Sequence, residues 1–190
     1  MGRPRVLFVC GSINQTTQMH AVAVEMPECD HAFTPYYGDG ILELGRRLGL
    51  AEFTIVGNKL RKRCVDYLER NALPMDLRGA SGSYDLVVTC SDLIIPRNIA
   101  SRPIVAVQEG LLDQAKIAFH ICRALPFLPL WLAGTSTTGL SGRYLRFCVA
   151  SEGYRQVFLR NGVPADKMVV TGIPNFDDCE RYRNNALANK

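Results

Sequence analysis

The chain has 190 residues, 47% of them hydrophobic, with a formal net charge of +4 and a mean hydropathy of +0.02. That length fits one α/β domain with a substantial core, and the composition excludes an intrinsically disordered polymer. The charge is mildly basic: it suits anionic ligands or an anionic membrane surface and is too small to single out nucleic acid.

Val6 to Cys10 is a continuous apolar run, the pattern of a strand buried on both faces of a parallel sheet. Only five apolar residues separate the basic start from Gly11, too few for a signal peptide. Asn14 to Thr17 are polar residues able to cap free backbone N–H groups, so a helix is expected from there to about Met26, ending at Pro27. His31 to Tyr37 reads as a second strand and Ile41 to Leu48 as a helix with Gly49 beyond its end. In Lys59 to Asn71 the apolar Leu60, Cys64, Tyr67 and Leu68 share one helical face. Leu73 to Gly82 is a loop. Strands are expected at Tyr84 to Cys90, Pro103 to Val107, Tyr144 to Ala150 and Met168 to Thr171. The last of these should be well buried. Alternation of strands with helical stretches predicts a doubly wound, mainly parallel α/β sheet with helices on both faces.

Leu111 to Ala133 is the one long apolar stretch. Its charged residues and Pro126 and Pro129 make it a poor bilayer span. It reads as a core-packing helix followed by a proline-broken loop, or as an amphipathic face that touches lipid through Phe127, Leu130 and Trp131. Residues 134 to 143, a Gly/Ser/Thr-rich loop, either connect without order or bind polyhydroxyl or phosphate groups. The cysteines at 10, 29, 64, 90, 122, 148 and 179 form no C-x-x-C pair and read as small hydrophobes of a reduced cytoplasm. They give no metal site, and the three histidines have no metal or triad spacing. Neither G-x-G-x-x-G nor a P-loop occurs, so no cofactor is expected.

Open parallel sheets bind ligands outside the C-terminal ends of their strands. That rule selects Gly11, Ser12 and Asn14 after the first strand, then Ser91 and Asp92, then Gln108, Glu109 and Gly110, then Ser151 and Glu152, and finally Gly172. Asp92 and Glu109 come directly after apolar strands. Both are expected at an open edge, either as groups that orient a sugar hydroxyl or act as general bases, or as a helix cap and a solvated turn respectively.

Residues 151 to 177 then carry a resemblance. Ser151-Glu152-Gly153, Arg155, Leu159 and Gly162-Val163 precede Val170-Thr171-Gly172-x-Pro174-x-x-Asp177. This run is similar to the end of the N-terminal domain in UDP-N-acetylglucosamine 2-epimerases and related GT-B glycosyltransferases. The resemblance implies a Rossmann-like acceptor-side domain over residues 1–177, an interdomain linker beginning at 178–190, and a separate C-terminal domain that holds the nucleotide-sugar. A strand–helix–strand unit at 146 to 177 is what hands the chain on in such proteins, and the polar 178–190 tail is expected to be loosely packed.

By the same resemblance Asp92 and Glu109 are the catalytic carboxylates, Arg97 meets an anionic acceptor, and the acceptor is a carbohydrate or a lipid-linked sugar. In the amphipathic alternative for residues 111–133, that segment adds a peripheral membrane contact at the inner, cytoplasmic surface. Two departures stand out. The family's H-V-E-A-G becomes Ala106-Val107-Gln108-Glu109-Gly110, which lacks the histidine and sets Gln108 at the glutamate position. Three outcomes stay open: a glycosyltransferase of cell-surface polysaccharide or glycolipid synthesis, a sugar-nucleotide 2-epimerase or CDP-glycerol-type phosphotransferase, and a non-catalytic subunit that pairs with a separate C-terminal half.

Overall fold

A computed structural model describes residues 2–50, 52, 54–110, 117–125, 127–134 and 137–182. The expected apolar runs all form strands: β1 (Arg5–Cys10), β2 (Asp30–Pro35), β3 (Leu86–Thr89), β4 (Ile104–Val107), β5 (Arg146–Val149) and β6 (Met168–Val170). They pair in parallel in the order β2-β1-β3-β4-β5-β6. The order reverses between β1 and β3, which opens a crevice at their C-terminal ends.

Alternate residues of β1 enter opposite cores, as the two-residue period of a strand requires. Val6, Phe8 and Cys10 pack with Met19, Phe33, Cys64 and Leu68 on one face. Leu7 and Val9 pack with Tyr36, Ile94, Phe147 and Phe158 on the other. The helices that cover these faces are α1 (Ile13–Val24), α2 (Ile41–Arg47), α3 (Asn58–Arg70), α4 (Ile117–Ala124) and α5 (Glu152–Arg160). α1 and α3 lie on the first face, α5 on the second. Ser12 caps α1 through Gln15 N, and Ser151 caps α5 through Tyr154 N.

Two expectations are corrected. β6 is the last strand of the sheet, so only Met168 is buried, while Val169 and Val170 are 43% and 45% exposed. Residues 137–143 are anchored to the sheet: Thr137 Oγ1 donates to the carbonyls of Cys90 and Val107, and Asp92 holds the turn at 138–141. Pro174–Tyr182 forms 3₁₀ turns beside α1, with Asn175 Nδ2 donating to Asn14 O at 2.9 Å. This anchor at Asn175 precedes residue 178, where the linker is expected to begin. Residues 183–190 and 111–116 of the apolar stretch lie outside the described residues. Among the described residues, no helix is long and apolar enough to cross a membrane.

α2 lacks a side-chain N-cap and buries none of its residues fully. Besides the packing of Leu42 on the core, its support is ionic. Arg46 grips Glu43 with Nε at 2.9 Å and Nη2 at 2.7 Å, and Arg47 Nε adds a bond at 3.1 Å. The Arg46 hydrogen bonds hold the Glu43 carboxyl down at about 2. A folded value below the unfolded one adds stability above the ordinary carboxylate range, and that stability is lost as pH falls toward the folded value. Glu43→Gln should therefore cost about 1–2 kcal/mol at pH 7, after solvent screening is allowed for. The deficit should close between about pH 5 and pH 2. Urea unfolding of both proteins across that range checks it, and a deficit that does not change with pH would refute it.

Candidate functional site

The crevice between β1 and β3 is closed on its far side by the turn after β4. Gly11 follows β1 and starts the turn into α1. It is buried, and a Cβ there would fall onto Gln15 Oε1. The absence of that Cβ lets Gln15 fold back: its Oε1 accepts from Ser12 N at 3.1 Å, while Ser12 Oγ accepts from Gln15 N at 3.2 Å. This is a reciprocal cap of the helix N-terminus.

Glu109 reaches into this cap from the turn after β4. Ser12 Oγ donates to its Oε1 at 2.6 Å, and Gln15 Nε2 donates to its Oε2 at 2.7 Å. α1 has no acidic residue in its first turn, so Glu109 supplies the negative charge that a helix N-terminus favours. The half-buried carboxylate is therefore fixed by two donors from one helix, at the edge where open parallel sheets hold ligands.

Beneath it the polar groups are structural. Gln108 is 1% exposed; its Nε2 donates to Gly110 O at 2.8 Å and its Oε1 accepts from Ala150 N at 2.9 Å, tying β4 to β5. Gln18 Nε2 donates to Gln108 O at 2.9 Å. Ser91 is buried at the end of β3, and its Oγ has no hydrogen-bond partner among the described residues. Cys10, Cys64 and Cys90 lie in the same layer, and burial pushes the Cys10 and Cys90 thiols well up, so they are inert hydrophobes near neutral pH. Among the described residues no group of His, Cys, Asp and Glu stands together as a metal site.

Asp92 is not at an open edge. It is 1% exposed. Its Oδ1 accepts from Thr138 N at 2.7 Å and Gly139 N at 3.1 Å, and its Oδ2 from Ser141 N at 2.9 Å. The alternative of an N-cap does not hold either, since the segment it satisfies is the 138–141 turn. A buried carboxylate needs several donors, and this turn provides them.

The other expected residues separate. Asn14 is exposed in the first turn of α1, and its carbonyl is taken by Asn175. Ser151 caps α5, and Glu152 is exposed and paired with Arg155 at 3.0 Å. Gly172 comes after β6 with a φ of 83°. Arg97 sits away from the crevice, in the connection that crosses from β3 to β4, and it lines a different cleft. So the structure joins Gly11, Ser12, Ser91, Gln108, Glu109 and Gly110. To them it adds Gln15 and Gln18, which were absent from the expected set. The Ser12-x-x-Gln15 spacing was the signal for the first of these.

Tyr36, at the end of β2, ties this edge to the chain leaving β3. Its hydroxyl donates to Ile94 O at 2.6 Å and lies 3.1 Å from Ser91 O. Tyr36→Phe should leave buried carbonyls without a donor and cost about 1–3 kcal/mol in urea unfolding. Unchanged stability would show that those carbonyls find other donors.

No family model matches the sequence, and no curated protein matches it. A solved structure does share the fold. The crystal structure of Anabaena HepE in complex with UDP and glucose superposes with a TM-score of 0.51 at 13% identity, over 90% of this chain and 44% of that one. The structure of UDP-N-acetylglucosamine 2-epimerase from Rickettsia bellii gives a TM-score of 0.47 at 13% identity, over 95% and 47%. The chain thus spans less than half the length of either protein. The Rossmann-like fold expected from residues 151 to 177 is the fold observed.

Proposed function

We propose that this chain is the acceptor-side domain of a GT-B-type enzyme that acts on a nucleotide-activated sugar, in polysaccharide or glycolipid synthesis at the cytoplasmic face of a membrane. The observation that carries the reading is Glu109, a carboxylate fixed by Ser12 and Gln15 at the sheet's ligand edge. The fold shared with HepE, whose crystal structure holds UDP and glucose, supports it. In this reading Glu109 accepts the proton of an acceptor hydroxyl as that oxygen bonds to the anomeric carbon, and the bond from that carbon to the nucleoside diphosphate breaks. Ser12 and Gln15 aim the carboxylate. The donor is held by a second domain, as the resemblance implies, and Asp92 acts by positioning the 138–141 turn.

Epimerase chemistry is disfavoured, because the amide of Gln108 at the family's glutamate position is consumed by backbone groups. Product analysis with UDP-, GDP- and CDP-activated donors tests the reading. A transferase releases nucleoside diphosphate only when acceptor is present. Release of CMP would point to the phosphotransferase instead, and inversion at C2 of the sugar without an acceptor to the epimerase.

A further inference from the structure

Two clefts meet on the face of the sheet that carries Ile94. One, of about 580 Å³, is lined by Arg97, Arg123 and Arg143. Among the described residues none of these three guanidinium groups forms an ion pair. The acidic residue on this wall, Asp39, is already engaged: its Oδ2 accepts from Arg97 N at 2.6 Å and its Oδ1 from Arg78 Nη2 at 3.4 Å. Three arginines without ion pairs therefore line a cleft whose one acidic lining residue is Asp39.

The second cleft, of about 380 Å³, is an apolar trough along α2. Ile41, Leu44, Leu48 and Leu50 line it, and they are 55% to 78% exposed. A contiguous apolar surface of this kind marks a site for an apolar partner. Leu42, Ile94 and Trp131 border both clefts, so the trough and the arginine cleft lie side by side.

We infer that the joined clefts hold a single lipid bearing a phosphate or diphosphate, its head among Arg97, Arg123 and Arg143 and its hydrocarbon tail along α2. An unpaired cation cluster calls for a multiply charged anion, and guanidinium groups suit phosphate oxygens. The continuous trough calls for an apolar chain on the same molecule. Leu140 and Ser141, also on the wall of the arginine cleft, belong to the turn that Asp92 holds. Under the function proposed above, on which this role rests, the lipid is the acceptor or carries it.

The chain has one tryptophan, and it stands where the clefts join. Trp131 fluorescence therefore reads occupancy. Farnesyl diphosphate, kept below its micellar concentration, should give a saturable change. Inorganic diphosphate and farnesol should each bind at least tenfold more weakly. The Arg97→Gln/Arg123→Gln/Arg143→Gln triple variant and the exposed-site variant Leu44→Asp/Leu48→Asp should each weaken farnesyl diphosphate at least tenfold, with unchanged circular dichroism. No saturable change would overturn the proposal. So would equal affinity for inorganic diphosphate, which leaves a plain anion cleft, or for farnesol, which leaves a plain apolar groove. Binding to phosphatidylglycerol vesicles that farnesyl diphosphate does not compete away would replace the lipid site by a membrane surface and overturn it too. Sugar transfer to a water-soluble acceptor without farnesyl diphosphate binding would remove this site and spare the transferase reading. Binding without any sugar transfer by the complete enzyme, donor-side domain included, would do the reverse.

Discussion

Asp92→Asn should destabilise the protein by about 3 kcal/mol, since it removes a buried charge and sets an amide donor against a backbone donor. The carboxylate satisfies the N–H groups of Thr138, Gly139 and Ser141 from a position 1% exposed. An asparagine has one acceptor oxygen for these three donors, so at least one stays buried and unpaired. The loss should be visible in urea unfolding, as a lower midpoint with the same slope. Farnesyl diphosphate binding should weaken with it, because the same turn forms part of the arginine cleft. Wild-type stability in this variant would return Asp92 to the open-edge role that its place after β3 suggests.

Glu109→Gln should have the opposite signature. Its partners are hydroxyl and amide groups that can reorient about a neutral side chain, and the residue is half-buried. Stability should fall by no more than about 1 kcal/mol. Turnover by the complete enzyme should fall about 100-fold or more, the usual scale for loss of a general base. KM should change little, and Glu109→Asp should recover part of the rate. A kcat within a few-fold of wild type would reduce Glu109 to a cap for α1.

What the sequence made legible was local. Apolar runs such as Val6 to Cys10 marked the strands because burial on both faces leaves no room for alternation. The Cys64 and Leu68 spacing marked α3, and both are buried there. The exposure of β6 was not legible, because it depends on strand order rather than on the composition of Met168 to Val170. Asp92 was misplaced for a related reason: its partners lie more than forty residues on, in a segment whose glycines and hydroxyl residues read as a loose connection. Gln15 and Gln18 are polar residues inside a helix, and they are buried only because Glu109 and the Gln108 carbonyl come to meet them. The meeting of the two clefts was equally hidden, since it brings together residues from α2, α4 and four separate connections.

An acceptor-side role is decided by nucleoside diphosphate release from nucleotide-sugars, measured for the 190-residue chain alone and for the same chain joined to a donor-side domain, whether encoded beyond Lys190 or by a neighbouring gene. The acceptor-side reading predicts no release by the chain alone and acceptor-dependent release by the pair, abolished by Glu109→Gln. Turnover by the chain alone, or acceptor-dependent release by the pair that Glu109→Gln leaves intact, would contradict it.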